Sequence, residues 1–301
     1  MTKEKFDKKS LLEISKMSIQ ETTDYYRKKR KHLYDTNSPI KGLNIRKIAH
    51  PILLVGVKLD RKLSKEELEV IGDKREKTNR PIIYAATHIG GNDIQRTFES
   101  INDHAYLFLG DPKDLYKDVA GLVLYANGAV ILDTSNKDDR KIAYNRAIEL
   151  LKMKGNLLIY PEGAWNLTDN LAVMKLYKGT MSMAKETGAD VIPVAIEQYG
   201  NKFVANIGRN IKKEEYDNLD VIEATNLLRD ELSTLKWEIW EQSGICKRAE
   251  ITEEDKDAFY KFMLSKCSYG VTIDDIDKAR FHDPNVTPNR DDLENIKKLV
   301  R

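Results

Sequence analysis

Two short polar segments carry the residue types that acid–base chemistry requires, and each follows an apolar run. The first is Thr87-His88-Ile89-Gly90-Gly91-Asn92-Asp93, and the second is Tyr160-Pro161-Glu162-Gly163. A histidine with an aspartate five positions later can act as a general base that the carboxylate orients. An isolated histidine is more often structural, and Asp93 could also be the N-cap of a following helix. The sequence contains no Gly-x-Ser-x-Gly nucleophile motif, so a base at His88 would act directly on a substrate hydroxyl, as acyl transfer requires.

Buried strands must position these two segments, and the sequence contains a series of short apolar runs bounded by turn residues. Strands are predicted at Ile82–Ala86, Ala105–Leu109, Ala129–Leu132, Leu157–Tyr160 and Val191–Ile196. Helical spacing occurs between them at Ile94–Ser100, Val119–Tyr125, Arg140–Lys154 and Gly179–Thr187. This alternation predicts an α/β fold with a single core of mostly parallel sheet flanked by helices. Both polar segments would then follow the carboxyl ends of strands, where open α/β sheets bind ligands.

The flanking regions are predicted to be helical. Leu11–Leu33 has helical spacing, and Ser64-Lys65-Glu66-Glu67 resembles a capping box that opens a short helix ending near Gly72. Amphipathic patterns at Val221–Glu241 and Asp255–Ser265 predict a helical C-terminal appendage. The expected organisation is a basic N-terminal helical segment at 1–62, a core that contains both polar segments at 63–210 and a C-terminal helical extension at 211–301.

Positive charge is concentrated near the N-terminus. The 301 residues carry 50 Lys+Arg and 48 Asp+Glu, whereas residues 1–62 alone carry 16 Lys+Arg and 7 Asp+Glu. This region contains the run Tyr25-Tyr26-Arg27-Lys28-Lys29-Arg30-Lys31-His32, which is typical of a segment that lies on an anionic membrane surface. An ordinary solvated helix face explains the run equally well, and no base-reading module accompanies it, which argues against nucleic acid as a partner. The apolar run Ile48–Val57 is too short to span a bilayer as a helix.

The remaining composition favours a reducing compartment. The two cysteines, Cys246 and Cys267, lack metal-ligand spacing and are interpreted as free thiols. The first residues lack the apolar stretch of a signal peptide, so we expect a cytoplasmic protein, with the inner membrane face as the place where it would bind peripherally. Neither a cluster of metal ligands nor a phosphate-binding loop is evident, so neither a metal ion nor a resident cofactor is expected.

Four blocks in order carry a resemblance to a known family. They are His88-x4-Asp93, Tyr160-Pro161-Glu162-Gly163, Tyr177-Lys178-Gly179 and Val191-Ile192-Pro193-Val194. Together they resemble the PlsC-like glycerolipid acyltransferase superfamily, over roughly residues 80–210 of this chain. The resemblance implies an enzyme of phospholipid metabolism that uses acyl-CoA or acyl carrier protein as co-substrate.

The resemblance also implies roles for individual residues. His88 would take the proton from an acceptor hydroxyl as that oxygen attacks the acyl thioester, with Asp93 orienting the imidazole. Glu162 and Gly163 would help to bind the acceptor. The backbone amides of Gly90 and Gly91 could face the developing oxyanion, although glycine pairs also occur simply in turns.

Several positions depart from the family pattern. Trp165 lies in Ala164-Trp165-Asn166, where a Thr-Arg or Thr-Ser pair is typical, and Thr134 and Ser182 stand where arginines are often found. Arginine suits phosphate recognition. The acceptor is therefore either a phosphate-free sugar, glycolipid or polyol, on whose ring Trp165 could stack, or a phosphate bound by other cations. Trp165 could equally be a packing residue. The candidate cations are Lys137, Arg140 and Lys178.

Two rival functions remain open at this point. The chain could be a lipid-binding or assembly protein that has the acyltransferase fold but no turnover. It could also be an acyl-thioester hydrolase that uses the same base to activate water. Dependence of thiol release on an acceptor distinguishes a transferase from a hydrolase, because water is always present.

Overall fold

The protein is built around one seven-stranded sheet. The computed structural model describes residues 6–110, 119–166, 168 and 171–243. The strands are β1 (Glu67–Asp73), β2 (Ile82–Ala86), β3 (Tyr106–Gly110), β4 (Ala129–Leu132), β5 (Leu157–Ile159), β6 (Asp190–Tyr199) and β7 (Lys202–Ile207). Their order across the sheet is β1-β7-β6-β2-β5-β3-β4. Only β6 and β7 pair antiparallel, and the other neighbouring strands are parallel. The predicted α/β fold is confirmed.

The topology places the two polar segments side by side. Strands β2 and β5 are parallel neighbours, with Ala85 paired to Ile159. Thr87-His88 leaves the end of β2, and Tyr160-Pro161-Glu162 leaves the end of β5. Because parallel strands end at the same edge of the sheet, segments far apart in sequence meet there.

Nine helices surround the sheet in the described part of the chain. Ser10 and Ser18 form capping boxes that open the first two, and Asn136 accepts two amides at the start of the sixth. The helices are α1 (Leu11–Ser15), α2 (Ile19–Asp35), α3 (Leu43–Leu63), α4 (Asp93–Ile101), α5 (Val119–Asn127), α6 (Lys137–Lys152), α7 (Gly179–Thr187), α8 (Lys213–Tyr216) and α9 (Val221–Ser243).

Alternate residues of β2 pack into two different hydrophobic clusters, one on each face of the sheet. Ile83 and Ala85 pack with one cluster, which includes side chains of α6, α7 and α9. Tyr84 and Ala86 pack with a second cluster, which includes Phe98 and side chains of α3 and α4. Burial on both faces explains why the central strands are nearly continuous apolar runs.

Two strands were not anticipated. The capping pattern at Ser64–Glu67 predicted a helix ending near Gly72, and this prediction is wrong, because Glu67–Asp73 pairs in parallel with β7. Lys65 adopts a left-handed φ of 54° that turns the chain, and the Glu66 side chain binds Asn92 and Arg96 instead of capping a helix. Strand β7 forms a hairpin with β6 through a turn in which Gly200 has a φ of 61°.

Other expectations need smaller corrections. The helical pattern of Leu11–Leu33 is divided between α1 and α2, because Ser18 starts a new helix. The amphipathic pattern of Val221–Glu241 corresponds to α9. Asp255–Ser265, Cys246 and Cys267 lie outside the described residues. The division into 1–62, 63–210 and 211–301 stays a prediction.

Helix α3 has an apolar face that the rest of the described structure leaves uncovered. Its exposed apolar side chains recur every three or four residues, which places them on one side of the helix. They are Ile45, Ile48, Ile52, Val55, Leu59 and Leu63, with 55–84% of their surface exposed. Exposed Lys47, Lys58 and Lys62 lie on the same helix. None of the described helices is both long and apolar enough to cross a membrane.

A buried arginine joins α3 to α4. Arg96 is 0% exposed, and its guanidinium donates to Glu66 at 2.9 Å, Asp60 at 2.9 Å and the Val57 carbonyl at 3.2 Å. Glu66 also accepts from the Asn92 side chain at 2.8 Å. The C-terminal half of α3 is therefore bonded to the residues at which α4 begins.

Candidate active site

His88 and Asp93 form a buried pair at the end of β2. His88 Nδ1 lies 2.7 Å from Asp93 Oδ2, and the two side chains are 11% and 1% exposed. The same oxygen accepts the amides of Ile89 and Gly90, each at 2.8 Å. An ionised Asp93 only accepts hydrogen bonds, so Nδ1 of a neutral His88 carries the proton and Nε2 has the free lone pair.

The tight loop between the two residues makes this geometry possible. Gly90 and Gly91 have left-handed φ values of 91° and 63°, which glycine adopts at little cost. Asp93 is the first residue of α4, and Asn92 precedes it as N-cap, so the alternative role of Asp93 as N-cap is wrong. The Gly90 amide donates to Asp93, which leaves it unable to face an oxyanion. The corresponding role of Gly91 stays a prediction.

Glu162 supports the site from inside the protein. It is 0% exposed, with Oε1 accepting the His88 amide at 3.0 Å and Oε2 accepting the Met174 amide at 2.8 Å. Burial raises the pKa of Glu162, whereas the Met174 and His88 amides and the Lys236 charge lower it. Both oxygens bind backbone amides, and the predicted role of this carboxylate in binding the acceptor stays a prediction. Gly163 turns the chain with a φ of 71°.

Two aromatic side chains flank the imidazole. The Tyr160 ring stacks on His88 with centroids 4.3 Å apart, and the Trp165 ring stands edge-on to His88 at 6.2 Å. Asn166 N donates to the His88 carbonyl, which fixes the Trp165 loop beside the base. Trp165 therefore lies at the site. This position is compatible both with stacking on an acceptor and with packing against Gly90.

The candidate cations lie at the same edge of the sheet. Lys178 is exposed at the start of α7, and its neighbour Tyr177 donates its amide to the Pro161 carbonyl at 2.8 Å. Arg140 is exposed at the start of α6 and donates to the Thr134 carbonyl. Among the described residues, no three His, Cys, Asp or Glu side chains form a group that could hold a metal ion.

A buried ion pair lies behind the catalytic loop. Lys236 Nζ is 3.1 Å from Glu197 Oε2, and the two side chains are 2% and 3% exposed. Lys236 also donates to the Ile196 carbonyl at 2.5 Å, and this oxygen accepts the Thr87 hydroxyl at 3.3 Å. Helix α9 is thus connected to the residue that precedes His88.

Tyr160 and Lys236 were not identified as site residues from the sequence. Tyr160 follows a buried strand directly, and this position could have indicated a residue next to the base. Lys236 lies on the apolar side of α9, four residues after Leu232 and four before Trp240, both of which are buried. A lone lysine on an apolar stripe is a detectable signal for a buried charge that needs a partner.

Comparison with known proteins points to one family. Residues 67–197 match the family model described as Acyltransferase. A 1-acyl-sn-glycerol-3-phosphate acyltransferase of Borreliella burgdorferi is 25% identical over 118 residues, which are 38% of this chain and 46% of that protein. The chain therefore spans about half the length of this curated relative.

A solved structure shares the fold. The crystal structure of the 1-acyl-sn-glycerophosphate (LPA) acyltransferase PlsC from Thermotoga maritima matches with a TM-score of 0.54 and 16% sequence identity. The match covers 77% of this chain and 96% of that chain. His88, Asp93 and Glu162 all lie within the segment that matches the family model.

Proposed function

We propose that this chain, whose residues 67–197 match the family model described as Acyltransferase, is a PlsC-like acyltransferase that transfers a fatty acyl group from a thioester to a hydroxyl. The donor is acyl-CoA or acyl carrier protein, and the acceptor is a lysophospholipid, glycolipid or related molecule. The buried His88–Asp93 pair carries this proposal, with its 2.7 Å contact at the carboxyl end of β2.

The reaction would use His88 as general base. Nε2 accepts the proton of the acceptor hydroxyl while the hydroxyl oxygen attacks the thioester carbonyl. The resulting tetrahedral intermediate collapses to the ester and expels the thiolate, which takes up the proton from His88. Asp93 stabilises the imidazolium that forms between the two steps, and no acyl-enzyme is needed.

An acceptor-dependence assay tests this proposal. Purified full-length protein is incubated with acyl-CoA and a free-thiol reagent, with and without a lysophospholipid or a glycolipid. His88→Ala should lower acceptor-dependent thiol release by about 10²- to 10⁴-fold, since general-base catalysis contributes that much. His32→Ala, on α2, is the matched histidine control and should leave the rate unchanged.

Each other outcome identifies a rival function. Thiol release that is independent of acceptor indicates a hydrolase. Release by the wild-type protein that never exceeds release by His88→Ala, with any acceptor or carrier tested, supports a binding or assembly protein. Comparing lysophosphatidate with a phosphate-free glycolipid shows whether the acceptor carries a phosphate, and repeating the comparison with Lys137→Ala, Arg140→Ala and Lys178→Ala shows which of these cations binds it.

The exposed face of α3 suits peripheral attachment to an anionic membrane surface on the cytoplasmic side. The 21-residue helix is about 32 Å long, with its apolar stripe uncovered and three exposed lysines beside it. Apolar side chains that dip into the headgroup boundary and lysines that face anionic lipid are the features of interfacial helices. Such attachment would bring the site to a lipid acceptor.

Vesicle sedimentation tests the attachment. Ile48 and Ile52 are 77% and 74% exposed, so replacing both by Asn should cost about 2–4 kcal/mol of interfacial binding, or at least about 30-fold in affinity. Ile222→Asn removes an exposed isoleucine from α9 and serves as control. Binding should be stronger to anionic than to neutral vesicles. Unchanged pelleting of the Ile48→Asn/Ile52→Asn variant would remove α3 from the proposal.

A further inference from the structure

Three buried polar atoms beside the catalytic pair have no hydrogen-bond partner in the described structure. They are Asp93 Oδ1, Thr97 Oγ1 and Tyr160 Oη. Buried polar atoms without partners are rare in native proteins, because each has lost its bonds to water. A carboxylate oxygen and two hydroxyls that all lack partners at one site therefore call for a common explanation.

The three atoms belong to residues that are neighbours around His88. Asp93 and Thr97 are four residues apart on α4, so they lie on the same side of the helix. The Tyr160 ring lies against the imidazole that Asp93 orients, at 4.3 Å and an interplanar angle of 30°. Burial raises the pKa of the Tyr160 phenol well above its ordinary value, and the nearby charge of Asp93 adds to this increase. Tyr160 is thus a neutral donor near both partners.

The two oxygens of Asp93 are in unequal environments. Oδ2 accepts from His88 Nδ1 and from two backbone amides, whereas Oδ1 is buried without a donor. Two hydroxyl groups that can each donate one bond belong to neighbouring residues, since Thr97 follows Asp93 by one turn of α4 and the Tyr160 ring lies against His88. One water molecule needs two to four polar partners in a buried site, and these atoms provide three.

We propose that one internal water bridges the Tyr160 and Thr97 hydroxyls to Asp93 Oδ1 and makes Tyr160 a positioning residue of the catalytic pair. The proposal rests on the function proposed above. Hydrogen bonds to Oδ1 share the negative charge of Asp93, so the carboxylate holds a protonated His88 less strongly. Removal of a hydroxyl from this arrangement should therefore strengthen the attraction between the carboxylate and a protonated imidazole.

In the described part of the chain, Glu162 and Lys236 bring charge near His88 from two further elements. Glu162, after β5, binds the His88 amide, and Lys236, on α9, acts on Glu162. Both stay in place in the variants described below. A change in pH dependence on removing the Tyr160 hydroxyl is therefore attributable to its action on Asp93.

Tyr160→Phe tests the proposal because it retains the stacked ring and removes only the hydroxyl. The acidic limb of the rate profile for acyl transfer should move up by about 0.5–1 pH unit, with roughly a three- to tenfold lower rate at low pH and little change at the plateau. Thr97→Val should move the limb in the same direction. The shift of the double variant should be smaller than the sum, since both hydroxyls serve one oxygen.

Tyr106→Phe is the matched control. Its hydroxyl is also buried without a partner, but it belongs to β3 and its ring contacts His104. This variant should leave the acidic limb in place. An unmoved limb in Tyr160→Phe, or an equal shift in Tyr106→Phe, would show that Tyr160 only packs against the imidazole.

A second readout separates this inference from the proposed function. The protonation midpoint of the His88 imidazole, followed by NMR, needs no turnover and should rise in Tyr160→Phe. A wild-type protein without transferase activity overturns the proposed function, but the NMR shift can still be present. Normal transfer activity with an unchanged NMR midpoint overturns the inference alone.

Discussion

Replacing Lys236 by Met should strongly destabilise the protein, because it leaves Glu197 charged and enclosed. The lysine and glutamate side chains are 2% and 3% exposed, so solvent screens their interaction little. Removal of one partner from a buried ion pair costs about 3–5 kcal/mol. The substitution also removes the hydrogen bond from Lys236 to the Ile196 carbonyl, an oxygen that accepts from the Thr87 hydroxyl as well. The free energy of unfolding should therefore fall by an amount in this range.

Urea denaturation followed by circular dichroism measures this loss. Lys74→Met is the matched control, since Lys74 forms an ion pair with Glu238 of α9 but is 56% exposed. This substitution should cost less than about 1 kcal/mol. Adding Glu197→Gln to Lys236→Met should restore part of the stability, because it removes the buried negative charge that Lys236 no longer offsets. A Lys236→Met variant within about 1 kcal/mol of wild type, or a double variant less stable than the single one, would refute this reasoning.

Two further predictions concern the catalytic loop and a buried histidine. Gly90→Ala should cost about 1–3 kcal/mol in stability and also lower kcat, because φ is 91° and the new Cβ would lie 2.6 Å from Trp165 Cδ2. Gly56→Ala should instead raise the free energy of unfolding by about 0.5–1 kcal/mol, because Gly56 is in a helix and its new Cβ would have no atom within 4 Å. Urea denaturation measures the stability of both variants. Burial lowers the pKa of His104 from 6.5, so the unfolded chain takes up the proton first and stability is lost as the pH falls below that value. The unfolding free energy of His104→Gln, measured against pH, should show a slope smaller by up to about 1.4 kcal/mol per pH unit, and an identical slope would contradict this.

Local patterns predicted the central strands well because these strands are buried on both faces. Strands β2 and β5 are short apolar runs whose ends carry the polar segments, so both the sheet and the meeting of His88 with Glu162 could be anticipated. The edge strand β1 could not be anticipated, because it pairs with β7, which is far away in the sequence, and because its local pattern resembles the start of a helix. Tertiary pairing prevailed over the local signal.

The role of Glu162 illustrates a different limit. A glutamate after a strand at a candidate site is expected to face the substrate, since charged side chains are rarely fully buried. Here two backbone amides satisfy the carboxylate, and Lys236 contributes its charge from a helix outside the segment that matches the family model. Partners that come from distant parts of the chain leave no trace in the spacing of the motif itself.

The Arg96 network has a consequence for where this protein can be cut. The match to the family begins at residue 67, yet two of the three carboxylates that pair with Arg96, Asp60 and Glu66, precede that boundary. A fragment that starts at the boundary would retain an arginine in the interior and lose most of its compensating charge, together with the Glu66 contact of Asn92. The segment that matches the family model is therefore smaller than the segment that the Arg96 network requires. The second half of α3 lies before the family match, yet it is bonded to Arg96 inside that match. A fragment that begins at residue 67 would therefore lack part of the structure that stabilises it.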